Sequence, residues 1–230
     1  MPAAMILAAG RGERMRPLSD TCPKPLLPAG GKPLIVWQIE RLAEAGYRDL
    51  VINVAHHPDR FAAALGDGTK LGVRLRWSRE PEPLETAGGV ATALPLLEPG
   101  PLLVVSGDIW TRFDYASLAA RRDAMARGAL GPRAHLVMVP NPPYHPAGDF
   151  ALTGSTLGLD GAERLTFGNI ALYDTALFAE LPRGVKLKML PLFERWIRAG
   201  IASGERYDGP WANVGTPADL AALDRALAAS

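Results

Sequence analysis

The stretch Ala3-Ala4-Met5-Ile6-Leu7-Ala8-Ala9-Gly10-Arg11-Gly12-Glu13-Arg14-Met15 decides the fold. Ala3 to Ala8 are all apolar, without alternation, which is the pattern of a strand covered on both faces, as in a parallel sheet. The run ends in a Gly-rich loop. Such loops turn successive backbone N–H groups toward phosphate oxygens; the plain alternative is a βα turn that needs glycine for positive φ. The spacing is not a dinucleotide fingerprint, because Met15 stands where the third glycine belongs, and no Gly-Lys-Ser/Thr follows to make a Walker A loop. Arg11 and Arg14 add positive charge at the same spot.

Outward from this stretch, strands and helices alternate. Pro33 opens a helix with Ile35, Ile39, Leu42 and Ala43 at helical spacing, and Gly46 closes it. Leu50 to Val54 reads as a strand, Pro58 to Leu65 as a short helix and Asp67-Gly68 as a turn. Val73, Leu75 and Trp77 alternate with Arg74, Arg76 and Ser78, a strand with one wet face. Thr86 to Leu94 reads as a helix, Leu102 to Ser106 as a buried strand, Tyr115 to Arg127 as a helix and Leu136 to Val139 as a strand. The alternation over the first 139 residues predicts a doubly wound α/β sheet. Beyond Pro140 it loosens: a loop over Asn141 to Asp149, strands over Phe150 to Leu152 and Leu165 to Tyr173, helices from Thr175 and Met189, a strand near Trp211 and a closing helix from Pro217.

The 230 residues suit one domain. A formal net charge of +1 gives no field that would favour nucleic acid or an acidic membrane. The single cysteine, Cys22, excludes an internal disulfide framework and a cysteine-built zinc site. The apolar runs are too short and too interrupted to span a bilayer, and the N-terminus lacks the charged opening of a signal peptide, so a cytoplasmic enzyme is the expectation. Lysine is scarce (Lys24, Lys32, Lys70, Lys186, Lys188), so its places draw notice.

Lys24 sits between Pro23 and Pro25, which stiffen the chain around it. A fixed ammonium so close after a Gly-rich loop suits a triphosphate better than a solvated surface role. Asp108 follows Gly107 just past a buried strand, on the ligand-binding edge of an α/β sheet. There a carboxylate can hold Mg²⁺, which takes one or two carboxylates plus substrate phosphates; the bland reading is a helix N-cap, but no helix signal begins before Tyr115. In Glu80-Pro81-Glu82-Pro83-Leu84-Glu85-Thr86-Ala87-Gly88-Gly89, two glycines in a first helical turn are costly and would let a flat base approach. His56, His57, His135 and His145 are scattered and form no metal site. No serine has Gly-x-Ser-x-Gly context, and Cys22 reads as an incidental thiol. Tyr144, beside Pro142-Pro143, either covers a substrate or packs its loop.

Taken together, Leu7 to Met15, Pro23-Lys24-Pro25-Leu26, Glu80 to Gly89, Gly107-Asp108 and Trp211-Ala212-Asn213-Val214-Gly215-Thr216 resemble the sugar-1-phosphate nucleotidyltransferase family, in the family's order and over nearly the whole chain. The resemblance implies a Rossmann-like fold, a mostly parallel mixed sheet with helices on both faces, in a single domain over 1–230. Within it, 1–139 would bind the nucleotide and 140–230 mainly the sugar. It implies that Ala9, Gly10, Arg11, Gly12 and Arg14 hold the triphosphate, Lys24 reaches the reacting phosphates, and Glu80 and Gly88 face the base. Asp108 would hold Mg²⁺ with Asn213, which stands where the family has a second metal-binding Asp and offers one carbonyl oxygen without charge. Asn141 and Asp149 would meet the sugar, with Asn213 beside them, and Lys188 the sugar's phosphate. Gly107-Asp108-Ile109-Trp110, Glu82-Pro83-Leu84-Glu85-Thr86 and Gly148-Asp149-Phe150 are most similar to members that join UTP to N-acetylmuramic acid 1-phosphate in cell-wall sugar recycling. Two other readings stay open: guanylyl transfer to mannose 1-phosphate, and a nucleotide-sugar sensor without turnover. A glycosyltransferase is disfavoured, because Asp108-Ile109-Trp110 lacks a second Asp.

Overall fold

A computed structural model describes residues 3–128, 131, 133–161 and 163–229. Met1 and Pro2, which open the apolar N-terminal stretch, lie outside them. In chain order the elements are β1 (Ala3–Leu7), α1 (Leu18–Thr21), β2 (Pro28–Ala29), β3 (Lys32–Pro33), α2 (Leu34–Glu44), β4 (Asp49–Val54), α3 (Pro58–Leu65), β5 (Arg74–Arg79), α4 (Glu85–Ala93), β6 (Pro101–Ser106), β7 (Ile109–Thr111), α5 (Ala119–Ala126), β8 (Ala134–Val139), β9 (Phe150–Thr153), β10 (Thr156–Gly158), β11 (Arg164–Asp174), α6 (Leu190–Arg198), β12 (Ala202–Arg206), β13 (Trp211–Asn213) and α7 (Pro217–Ala228).

Among the described residues, nine strands form one mixed sheet in the order β5-β4-β1-β6-β11-β8-β12-β10-β9. The half from β5 to β6 is parallel, with Ile6 opposite Ile52 and Val105. The long β11 runs antiparallel between β6 and β8. Beyond it, β12 lies parallel to β8.

β1 shows why the expected continuous apolar run is needed. Successive side chains point to opposite faces of a strand. Ala4, Ile6 and Ala8 enter one core with Ile35 and Ile39 of α2 and Phe61 of α3. Ala3 and Met5 enter the other, with Val90 of α4 and Phe193 and Trp196 of α6. Helices therefore cover both faces, as the sequence suggested. Met5 and Ile6 are wholly buried, each contributing about 1.5–3 kcal/mol of apolar transfer. A third, smaller core joins Met15, Leu27 and Leu34 to Val214, Leu220 and Leu223, seating α7 against the chain that follows the first loop.

Besides the short α1, β2, β3 and β10, two larger features depart from the reading of the sequence. β12 was not expected: Ala202-Ser203-Gly204-Glu205-Arg206 is short and polar, yet it pairs with β8 because Gly204 lets Leu136 and Leu157 approach. β7 follows Asp108 directly and pairs antiparallel with β13, so the region near Trp211 belongs to a separate two-stranded ladder beside the main sheet.

Candidate active site

A cleft of about 870 Å³ opens at the C-terminal ends of β1 and β6. Its first wall is the Gly-rich loop. Asn53, at the end of β4, accepts a hydrogen bond from the Ala8 N–H at 2.9 Å and so fixes where β1 ends. Gly12 has φ of 65°, the left-handed region, and a Cβ there would lie 3.1 Å from Lys24 Cβ. Glycine thus serves the turn and the close passage of Lys24. Ser19 Oγ donates to Gly12 O at 2.7 Å, tying the loop to α1.

Lys24 begins a short 3₁₀ turn flanked by the two prolines and is buried. Its Nζ lies 2.6 Å from Asp108 Oδ2. Ser106 Oγ donates to the other oxygen, Oδ1, at 2.7 Å. Gly107 makes this corner: its N–H donates to Leu7 O at 2.9 Å, and an added Cβ would meet that oxygen at 3.1 Å. One buried ammonium and one cleft-facing carboxylate therefore stand beside the Gly-rich loop.

The predicted residues Ala9, Gly10, Arg11, Gly12, Arg14, Lys24 and Asp108 all line this cleft. Glu80 and Gly88 do not. Glu80 is buried behind the wall, accepting from Asn53 Nδ2 at 2.7 Å and from the Leu84 N–H at 3.0 Å. Burial pushes its carboxyl above the ordinary range, against the pull of those two donors. At Gly88 the close approach is by the chain's own backbone: a Cβ would lie 2.2 Å from Val185 O, and the Ala87 and Gly88 N–H groups both donate to Leu187 O. Glu82, Pro83, Glu85 and Thr86 line the cleft in their place.

Lys188 is exposed and does not line the cleft; Lys186, two residues earlier, does. The scarcity of lysine pointed to this segment, but nothing in an unpatterned loop chose between the two. Asp149 and Asn213 line a neighbouring cavity of about 310 Å³ with Tyr144, Phe150 and Trp211. Asn141 is spent on its own loop: its amide nitrogen donates to Pro146 O and Arg164 O, and its oxygen accepts from Thr166 Oγ1. Asp149 Oδ1 contacts His145 Nε2 at 3.1 Å, and Oδ2 accepts from the Phe167 N–H at 2.8 Å.

β7 and β13 bring Asn213 next to Asp108. Asn213 pairs with Ile109, and the Val214 N–H donates to Asp108 O at 3.0 Å. Tyr144 is largely exposed, but its hydroxyl faces the Asn213 side chain, and partial desolvation there raises its pKa against that contact. Gly215 also lines the cleft. It is held by α7, where Thr216 and Asp219 form a capping box and Asp219 Oδ2 accepts from the Gly215 N–H at 3.1 Å. Among the described residues, no group of three or more His, Cys, Asp or Glu side chains is placed to hold a metal ion. Asp108 lines the main cleft and Asn213 the neighbouring cavity; a carboxylate and an amide oxygen are both donor types that Mg²⁺ accepts when substrate phosphates complete its shell.

Sequence reasoning missed Asn169. It lines the main cleft, the 310 Å³ cavity and a third cavity between them. It sits in β11 with φ of 57°, where the pairing with β8 shifts register. Gly168-Asn169 inside an apolar strand was the available signal for such a bulge.

Three comparisons with known proteins bear on this geometry. Residues 3–143 match the family described as nucleotidyl transferase. The chain is 44% identical over 217 residues to an N-acetylmuramate alpha-1-phosphate uridylyltransferase of Neisseria meningitidis serogroup B, covering 93% of each chain. It is 33% identical over 238 residues to a protein of that same name from Caulobacter vibrioides, covering 98% of this chain and 96% of that one. Among solved structures, HddC from Yersinia pseudotuberculosis superposes with a TM-score of 0.77 at 18% identity, covering 98% of this chain and 99% of that one. At that identity the superposition speaks for the fold.

Proposed function

The chain belongs to the nucleotidyl transferase family, and from that premise we propose that it transfers a uridylyl group from UTP to N-acetylmuramic acid 1-phosphate, giving the UDP-sugar and pyrophosphate. The observation that supports this choice of substrates is the 44% identity, spread over 93% of the chain, to a relative named for that reaction. The reading places the work in the cytoplasm, in the recycling of cell-wall sugar.

The chemistry asked of the site is in-line attack by a sugar-phosphate oxygen on the α-phosphorus, with pyrophosphate leaving. No general base is required, because a phosphate monoester with a second pKa of about 6 is already ionised at neutral pH. The obstacle is bringing two polyanions together, so positioning and charge neutralisation do the catalysis. The backbone N–H groups of Ala9 to Gly12, with Arg11 and Arg14, hold the triphosphate. Lys24 lies where an ammonium can neutralise charge growing on the transferring phosphate. Asp108, with the Asn213 carbonyl across the ladder, would hold Mg²⁺; when bound, that ion supplies further charge neutralisation. Glu80 braces the wall behind the base through Asn53, and Gly88 lets the segment carrying Lys186 and Lys188 dock toward the sugar's phosphate. Asn141 and Asp149 shape the loop over the sugar. In this division 1–139 handle the nucleotide and 140–230 mainly the sugar, within one domain.

The test is pyrophosphate release across four nucleoside triphosphates and a panel of sugar 1-phosphates. Release with UTP and N-acetylmuramic acid 1-phosphate upholds the reading. Release only with GTP and mannose 1-phosphate replaces it with the guanylyl reaction. Binding without release under every condition makes the chain a nucleotide-sugar sensor, the reading that Asn213 in place of a charged metal ligand favours.

A further inference from the structure

Between the main cleft and the aromatic cavity lies a slot of about 170 Å³. Leu7 of β1, Val104 of β6 and Phe167 of β11 form its floor, and Met189 and Phe193 close it from α6 and its N-cap. Phe193 packs edge-on against Phe167 at 5.2 Å and stacks on Tyr173 at 6.4 Å, so the walls are fixed by ring contacts. The slot meets the cleft at Leu7, Thr86 and Asn169, which line both. A polar, charged cleft thus adjoins a mostly apolar side pocket.

Asn169 stands at that mouth. No hydrogen bond reaches its carboxamide from the described residues. Its backbone is held at positive φ on a bulge, and the Trp211 Nε1–H donating to Gly168 O at 2.9 Å pins the bulge. Bulges re-aim side chains, and a non-glycine residue in the left-handed region persists where the surroundings over-determine it. A carboxamide offers one acceptor and a donor pair. Its complement is a secondary amide ending in a small apolar group: N–H and C=O at the mouth, methyl in the slot. A free hydroxyl can meet the carboxamide but has no apolar group to place in the slot.

We propose that the slot and Asn169 select an acceptor bearing an acetamido group over the same sugar bearing a hydroxyl. The inference rests on reading the cleft as the site where the sugar 1-phosphate meets the nucleotide, and deepens that reading by assigning the discriminating residues.

The experiment measures kcat/KM for two pairs that differ only at C2: N-acetylglucosamine and glucose 1-phosphates, and N-acetylmuramic acid and 3-O-lactylglucose 1-phosphates. Each is run with whichever nucleotide supports release. The wild type should favour the acetamido member by at least ~10-fold, the range that one small apolar group in a pocket gives. Val104→Phe fills the slot and should collapse the ratio. Asn169→Gly suits the positive φ and keeps the fold; it should slow the acetamido member at least ~5-fold more than the hydroxyl one, a difference set by the same pocket contacts. Wild-type ratios near one, or equal slowing of both members by Asn169→Gly, overturn the inference. If no sugar 1-phosphate reacts with any nucleotide, the proposed reaction fails. Saturation-transfer NMR on N-acetylglucosamine 1-phosphate then decides the slot separately. Saturation of the acetyl methyl that Val104→Phe abolishes upholds it, and none in the wild type overturns it.

Discussion

Replacing Asp108 by Asn keeps its shape and strands the Lys24 ammonium. Lys24 is only 7% exposed, and its Nζ sits 2.6 Å from Asp108 Oδ2. Deleting one partner of a fully buried ion pair costs about 3–5 kcal/mol. Here the Asp108 side chain keeps 29% of its exposure, so water and ions from the cleft resolvate part of the stranded charge, and the expected loss is about 1–3 kcal/mol. In a chain of this size each kcal/mol moves the melt by roughly 2–4 °C, so Tm should fall by about 2–12 °C. Lys24→Met leaves a carboxylate that still accepts from Ser106 and faces solvent, and should cost less. Residues in contact do not add, so Lys24→Met/Asp108→Asn should recover about 1–3 kcal/mol relative to the sum of the singles. Urea unfolding of the four proteins at neutral pH gives the cycle, and pyrophosphate release on the same samples should show roughly 10²-fold or greater losses in kcat for each single variant. Additive stabilities would refute a shared ammonium–carboxylate pair. Near-normal turnover of folded Asp108→Asn would remove Asp108 from the chemistry, and a rise in KM for UTP alone would make Lys24 a ground-state binder.

Asn213→Asp should lower the Mg²⁺ concentration for half-maximal rate by roughly 10-fold, about 1.4 kcal/mol of binding; superimposable Mg²⁺ titrations would show that position 213 is not a ligand. Gly88→Ala gains at most about 1 kcal/mol of helix propensity but drives a Cβ to 2.2 Å from Val185 O, so the urea midpoint should report a net loss of about 1–3 kcal/mol. An unchanged midpoint would mean that the 185–187 segment yields freely. His135 is held below its ordinary 6.5 chiefly by burial, against the opposing contact with Glu205. The unfolded chain therefore takes up the proton first as pH falls, and stability held above about pH 6.5 is lost below it. His135→Gln should flatten that limb in urea midpoints taken from pH 8 to 5, and parallel limbs for the two proteins would contradict this.

The parallel half of the sheet was legible because burial on both faces forces unbroken apolar runs, as in β1 and β6. The Gly-rich loop, Lys24 and Asp108 were legible because each breaks a local habit: glycines where a strand ends, a rare lysine between prolines, a carboxylate behind a glycine. Burial of β12 depends on Gly204 fitting between Leu136 and Leu157, which no periodicity encodes. Glu80 and Gly88 were read as facing a base from a motif alone; Glu80 turns inward to Asn53 and the Leu84 N–H, and Gly88 is covered by the 185–187 backbone, about a hundred residues away along the chain. The same docking sets Lys186 rather than Lys188 against the cleft. Asn169 escaped because Gly168-Asn169 hints at a bulge, but where the ladder slips, and so where the side chain is aimed, is set by β8 and β11 together.

The ladder that places Asn213 beside Asp108 also bears on when the cleft first exists. The Thr111 hydroxyl donates to Pro210 O across 99 residues, and the Gly30 N–H donates to Asp224 Oδ1 across 194. Loop closure over such separations is slow and waits on the late partner. The cleft is lined from Leu7 to Gly215, so a nascent chain cannot present it until that glycine has emerged. At about 5–20 residues per second, roughly 10–40 s of synthesis pass first. Through that interval the early strands β1, β4 and β6 must stay soluble while the wall that Asn169, Lys186 and Gly215 complete is still missing.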